Sequence, residues 1–322
     1  MESKIIHREL RKDNACLNCG NKVEHRYCSY CGQENIHPNE SAVHLLMHLH
    51  NHTEHYQFSL FSTLKKLLFS PGFLTKEYIS GKRKKYTHPI RIYLVVSFIY
   101  FFLILGILDK PAIARYSPSN PASQIIYIPA KAFGLWDFEI GLPKYNSVHE
   151  YDSIQNTLSN ADRDEGLLRY YKRRSAKIYE DYNPQKATEI FTEKVGQTIP
   201  KAIFILIPIL SFWIWLFYNK KKYVYSNHLI FSLHFNSFIF IVIIITTLIN
   251  LPLQYIHGTA IQIYIWIASL MVILGYFIAA LYYTYKEALW VNIIKGTIIM
   301  IVYLIFTLIT GIAFFVYPFL TI

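Results

Sequence analysis

The chain has 322 residues, 53% of them hydrophobic and 16% aromatic, with a formal net charge of +11. Its mean hydropathy of +0.23 is too apolar for an ordinary soluble domain. Several runs of about 18 or more residues carry almost no charge, and such a run fits the roughly 30 Å hydrocarbon core as a helix. The positive excess is not spread over a domain as a nucleic-acid binder would spread it. Residues 1–91 carry +6, residues 109–198 balance to zero, and Lys220, Lys221 and Lys222 add three, so the charge sits beside alternate ends of the apolar runs.

The opening MESKIIHRELRKDNA is polar and has no apolar core, so no secretory leader is expected. CLNCGNKVEHRYCSYCGQ follows, with all four cysteines of the protein in two C-x-x-C pairs: Cys16, Cys19, Cys28 and Cys31. In a reducing compartment this spacing reads as a metal site rather than as disulfides. Zinc takes four thiolates tetrahedrally, and four protein ligands leave no open position for water, so the expected role is structural. Iron or a redox dithiol is the other chemistry the pairs allow. Gly20 and Gly32 give each turn backbone freedom after its second cysteine. Lys22 and Arg26 lie between the pairs, where they are expected to offset thiolate charge.

His44, His48, His52 and His55 then recur at helical spacing, with His50 off that face. They read either as a second metal site or as a histidine-rich solvated helix. The apolar residues Phe58, Phe61, Leu64 and Leu68 form a stripe suited to a membrane surface or to the side of a bundle. Ser70 and Pro71 are an expected N-cap and first helical residue, and Gly81 an expected helix end. Lys82, Arg83, Lys84 and Lys85 follow, with Arg91 just beyond. This run either fixes topology or also meets anionic lipid headgroups. Pro89 restarts a helix as the first span.

Five spans are expected, at Ile90–Leu108, Ile199–Tyr218, His228–Ile249, Ile261–Tyr285 and Gly296–Leu320, with a short turn over Asn250–Gly258 between the third and fourth. Basic flanks favour the cytoplasm, which places the N-terminus inside, residues 109–198 outside, the Lys220–Lys222 and Lys286/Lys295 flanks inside and the C-terminus outside. Lys201 is the one flanking base on the wrong side. Within the outer segment, Pro111 to Pro143 reads as loop with short strands. A helix started by Asn160 or Asp162 and ended at Asn183-Pro184 is expected after it, followed by one from Gln185 into the second span. His234 and Asn236 in the third span are candidates for an intramembrane polar site, since polar groups at that depth carry a cost and often a function. The alternative is that they bind neighbouring helices together.

The pattern C-x-N-C-G…Y-C-x-x-C-G-Q followed by L-x-x-L-x-x-x-P-G-x-x-x-x-E-Y-I-x-G-x-R-x-x-Y-x-x-P spans roughly residues 14–105. Cys16, Asn18, Cys19, Gly20, Tyr27, Cys28, Cys31, Gly32 and Gln33 carry its first part. Leu64, Leu67, Pro71, Gly72, Glu77, Tyr78, Ile79, Gly81, Arg83, Tyr86 and Pro89 carry its second. It resembles an uncharacterised bacterial, Bacteroidetes-type multipass membrane-protein family of unknown function. The resemblance implies a membrane protein with a cytoplasmic ribbon and implies no activity.

No phosphate-binding glycine loop, dinucleotide turn, zinc-protease helix or nucleophile elbow occurs. The expectation is therefore an all-α polytopic membrane protein of the bacterial cytoplasmic (inner) membrane. Its parts are a zinc ribbon at 1–40, interfacial helices and basic run at 41–89, a first span at 90–108, an extracytoplasmic loop-helical domain at 109–198, and four further spans at 199–322. Its partners are membrane lipids and a protein met through the ribbon, with no nucleic acid, and self-association is compatible with the sequence. A non-enzymatic scaffold or adaptor is the preferred reading. A transporter or lipid-handling protein, and a membrane enzyme acting on an envelope lipid, are the alternatives.

Overall fold

The computed structural model describes residues 10–38, 57–103, 124–128, 138–142, 145, 147–182, 184–256 and 259–321. The histidine cluster at 44–55 lies outside the described residues. The chain divides into two compact units, Met1–Tyr100 with Ile205–Phe306, and Phe101–Phe204 with Thr307–Ile322.

The first unit opens with the cysteine ribbon, whose strand pairing among the described residues consists of the isolated bridges Leu10–Ile36, Ala15–Lys22 and Tyr27–Glu34. Next come α1 (Gln57–Phe69), α2 (Phe73–Ile79) and α3 (Pro89–Phe101). The second helix starts later than the Ser70 cap predicts. Ser70, Pro71 and Gly72 form a turn closed by the Phe73 N–H donating to the Ser70 carbonyl at 3.1 Å, and Gly72, at φ 72°, is the residue that precedes α2. The long helices are α6 (Pro184–Phe217), α7 (Tyr225–Ile256), α8 (Thr259–Tyr285) and α9 (Leu289–Thr321). The expected turn over Asn250–Gly258 is corrected: α7 continues through Pro252 to Ile256.

Among the described residues four helices are long and apolar enough to cross a membrane, over Glu193–Phe217, Tyr225–Leu253, Ile261–Tyr285 and Leu289–Phe314. The expected first span is described only as α3, an apolar helix of 13 residues, about 20 Å at 1.5 Å per residue. Residues 104–108 lie outside the described residues. Helix α7 is the centre of the first unit, burying Phe231, Phe235, Phe238 and Phe240. Phe235 meets Phe277 of α8 at 4.7 Å, and Phe240 stacks on Tyr100 of α3 at 4.7 Å.

The ends of these helices meet in a polar aromatic cluster. Tyr218, just after α6, donates to Asn292 of α9 at 2.8 Å and stacks on Tyr285 at 4.0 Å. His228 of α7 pairs with the Tyr285 hydroxyl at 2.7 Å, and the Lys295 ammonium lies 4.8 Å from the Tyr218 ring centre. The basic flanks Lys220–Lys222, Lys286 and Lys295 therefore gather at one end of the helices, as antiparallel threading requires.

The second unit is not wholly helical. Strands β1 (Gln124–Ile128) and β2 (Phe138–Leu142) pair antiparallel with Ile126 opposite Ile140, as the β-branched content of QIIYI favours. Helix α4 (Val148–Thr157), capped by the Ser147 hydroxyl accepting from the Glu150 N–H at 3.1 Å, packs on α5 (Gly166–Asp181). The expected start at Asn160 or Asp162 is corrected, because both lie in the α4–α5 turn and α5 begins at Gly166. Asp164 holds that turn together: its carboxylate accepts from Lys172 at 2.6 Å, Gln155 at 2.8 Å and the buried Tyr151 hydroxyl at 3.2 Å. Lys172 and the other donors keep Asp164 below its ordinary pKa, while burial pushes Tyr151 up to about 12. At the end of α9, Lys194 donates to the Thr321 carbonyl at 2.6 Å and Arg174 to the Leu320 carbonyl at 3.2 Å. These cations sit where a helix presents its unpaired carbonyls.

Candidate metal centre and its attachment to the helices

The two cysteine pairs fold as two copies of one turn, offset by twelve residues. The Cys16 N–H donates to the Asn21 carbonyl at 2.9 Å, and the Cys28 N–H to the Gln33 carbonyl at 2.9 Å. The Gly20 N–H returns to the Cys16 carbonyl at 2.9 Å, and the Gly32 N–H to the Cys28 carbonyl at 2.8 Å. Gly20 and Gly32 both adopt positive φ, 79° and 70°, which a side-chain-bearing residue enters at a cost.

The four thiols are free and their sulfur atoms all lie within 4.8 Å of one another. Cys16 Sγ is 3.5 Å from Cys31 Sγ, and Cys19 Sγ 3.6 Å from Cys28 Sγ. Four thiolates at about 2.3 Å from a tetrahedral ion stand about 3.8 Å apart, so the cluster can hold a metal ion such as zinc. Cys16, Val23 and Cys28 form the buried centre of the ribbon, with Cys19 and Cys31 packed against them. One valine and four thiols make a small apolar core, and in such a domain a bound ion would supply folding energy.

The two cations between the pairs also meet carboxylates. Lys22 pairs with Glu24 at 2.9 Å and Arg26 with Glu34 at 2.7 Å, so both cations have carboxylate partners of their own. Backbone dipoles act on the thiols as well: the Cys31 N–H directed at Cys28 sulfur draws that thiol down to about 7, while burial pushes Cys31 up to about 12.

The ribbon is fixed to the segment that precedes α3. The Gln33 side chain, buried, donates through Nε2 to the Gly81 carbonyl at 2.7 Å and accepts the Arg83 N–H on Oε1 at 3.0 Å. Gly81 sits at φ 91°, and a Cβ there would lie 2.5 Å from Leu17 Cδ1. The Arg83 guanidinium donates to the Pro38 carbonyl and lies 4.9 Å from the Tyr78 ring centre. Tyr78 in turn meets His88 Nε2 at 2.9 Å. Of the predicted basic run, Lys82 pairs with Glu77 at 2.9 Å and the Lys85 ammonium lies 5.6 Å from the Tyr86 ring centre.

The short helices dock on the long ones. The Tyr276 hydroxyl of α8 donates to the Leu67 carbonyl at 2.6 Å. Gly72 lies so close to α8 that a Cβ would stand 2.6 Å from the Ala280 carbonyl oxygen and 2.8 Å from Thr284 Oγ1. His234 Nδ1 and the Thr75 hydroxyl are 3.0 Å apart, both buried. Asn236 accepts from Tyr303 of α9 at 3.0 Å and donates to the Ser232 carbonyl at 2.9 Å. His234 and Asn236 therefore face different neighbours, and each joins α7 to another helix.

Residues 59–101, the part containing α2, α3 and most of α1, match the family described as Protein of unknown function (DUF3667). No curated protein and no solved structure matches the chain.

Proposed function

We propose that this is a non-enzymatic adaptor of the bacterial cytoplasmic membrane, in which a structural zinc ribbon on the cytoplasmic side meets a protein partner. The supporting observation is the Gln33 bridge to Gly81 and Arg83. It ties the ribbon to the segment between α2 and α3, so that the ribbon is attached to the helical body beyond its chain connection. The ribbon side coincides with the lysine-flanked helix ends, since Gly72 touches Ala280 and Thr284 near the end of α8, and basic flanks face the cytoplasm. On this reading α3 continues into a first span, residues 109–198 are extracytoplasmic, and the C-terminus is outside. A closed four-thiolate ion has no site for a reacting water. Tyr30, 79% exposed, and Tyr27, 56% exposed, are exposed aromatics of the ribbon, and exposed aromatics are common anchors in protein interfaces.

The test is purification from detergent-solubilised membranes of the intact chain and of Tyr27→Ala/Tyr30→Ala, with metal content measured in both. A protein recovered stoichiometrically with the intact chain and lost from the metal-replete double variant supports the adaptor. Equal recovery with both, or no protein recovered with the intact chain, overturns it.

A further inference from the structure

The match to residues 59–101 covers α2 and most of α1, two short helices whose role neither the family description nor a crossing count explains. Their depth can be read from α8. Tyr276 is nine residues before Tyr285, about 13 Å at 1.5 Å per residue. A helical side chain leans toward its own N-terminus, so the Tyr276 hydroxyl reaches still further from the lysine-flanked end. The apolar stretch Ile261–Tyr285 has 25 residues, about 37 Å, against roughly 30 Å of hydrocarbon. Even with all the excess placed at the Tyr285 end, the Leu67 carbonyl lies about 6 Å or more below the hydrocarbon boundary. The segment nevertheless returns: Thr63 accepts the Thr87 N–H at 3.0 Å, and Tyr78 meets His88, both just ahead of α3.

Backbone that is not helical survives at membrane depth only when protein covers it. The Ser70–Pro71–Gly72 turn, shallower than Leu67 and level with Ala280 and Thr284 at the hydrocarbon boundary or below it, meets that requirement: Gly72 is pressed on both residues, and the last-turn carbonyl of Leu67 is satisfied by Tyr276. Among the described residues the opposite side of α1 has no such cover. Of the predicted stripe, Leu64 and Leu68 are half-buried and Phe61 is 79% exposed, while Thr63 and Leu67 are the buried positions and Phe69 is 78% exposed. Phe61, Lys65 and Phe69 stand at i, i+4 and i+8, one outward row. Phenylalanine on either side of a lysine suits a leaflet, where rings enter the acyl layer and the ammonium reaches up to headgroup phosphates.

We propose that α1 and α2 form a re-entrant helix pair, inserted from the ribbon side into one leaflet against α7 and α8, with the Phe61–Lys65–Phe69 row facing lipid. The pair enters and leaves on the same side, so it adds buried length without adding a crossing. Its lipid contact is independent of the adaptor reading.

The test uses the full-length, metal-loaded protein in nanodiscs of phosphatidylcholine and phosphatidylglycerol containing a lipid with a photoactivatable diazirine in its acyl chain. Peptides covering 57–69 should carry label at a yield within about threefold of the outward face of α8 (around Tyr264 and Met271), and the ribbon should carry none. Absence of label from 57–69 with α8 labelled overturns the proposal. A second measurement compares Phe69→Trp with Tyr30→Trp. The emission added at position 69 should be quenched by acyl-brominated lipid and not by aqueous iodide, with the reverse at position 30. Iodide quenching at position 69 in a folded variant means that water or a displaced partner covers that face, which also overturns the proposal.

Discussion

The amide nitrogen of Gln33 lies 2.7 Å from the carbonyl oxygen of Gly81, although 48 positions of chain separate them. The same side chain accepts the Arg83 N–H, so one residue closes both hydrogen bonds of a strand-like contact. Gln33→Ala leaves a carbonyl and an N–H unpaired where the glutamine had buried them, which costs about 1–3 kcal/mol. The expected outcome is faster hydrogen exchange at residues 81–83 and faster proteolysis beside the ribbon, with metal content unchanged. Unaltered exchange at 81–83 would show that Leu17 and Arg83 carry the attachment alone.

Metal loading follows from the thiol geometry. The purified protein should carry one tetrahedral ion per chain, and Co²⁺ substitution should give the visible absorption of a tetrathiolate centre. Cys16→Ser should abolish that absorption. Metal must displace thiol protons, so affinity rises with pH. With Cys28 held at about 7 and Cys31 pushed up to about 12, retention in a chelator competition should fall as pH drops through 7. A flat profile between pH 6 and pH 8 would contradict proton-coupled binding.

Glycine substitutions separate backbone strain from crowding. Gly32→Ala meets no atom within 4 Å and pays only for its positive φ, about 1–2 kcal/mol. Gly72→Ala adds a clash with backbone, the Ala280 carbonyl at 2.6 Å. The expected result is a clearly larger fall in Tm in detergent for Gly72→Ala than for Gly32→Ala, with the metal retained only where the ribbon is untouched. Similar falls would mean that α2 yields at no cost.

The Thr75–His234 contact is suited to a double-mutant cycle with Thr75→Val and His234→Ala, read as unfolding in lipid–detergent micelles. Polar contacts between membrane helices average about 0.6 kcal/mol and reach about 1.7, and the coupling should fall in that range. A coupling of zero would remove His234 as a link between α2 and α7.

In the second unit, the Asp164 site should show two pH limits. Its pKa is depressed by Lys172 and its other donors, so its contribution is present above the unfolded carboxylate value near 4 and is lost as pH falls below it. Tyr151 is raised to about 12, so its contribution is complete below about 10 and lost as pH climbs from 10 through 12. Hydrogen exchange of α4 and α5 should accelerate at both ends, and Asp164→Asn should abolish the acid limb. The Asp152–Arg173 pair is more exposed and should contribute little.

The thiol set and the four long apolar helices were legible because their signals are local: ligand spacing in one case, uncharged length in the other. Pro89 as a helix start and Gly81 as a stop were legible for the same reason. The attachment of ribbon to helices was not, since nothing near Gln33 announces a partner at Gly81. The stripe on α1 left a membrane surface and a bundle side open because the inner face is small: Thr63 serves there beside Leu67, and a hydrophobic stripe cannot sort the two faces of a helix with apolar groups on both sides. The twelve-residue repeat was present in the text of the sequence, in ACLNCGNK against YCSYCGQE, but only the matching hydrogen bonds make it structural.

That repeat has a consequence for how the ribbon divides its labour. Leu17 and Gln33 secure it to the body, and the residues at the corresponding places in the other copy are Ser29 and Asn21, both out in solvent. Each copy carries one fastening residue at a place where the other does not, and the exposed Tyr27 and Tyr30 occupy the places that Ala15 and Asn18 take in the first copy. A doubled motif thus lets the two turns share the fastening, with a different position of each copy turned to the body of its own chain.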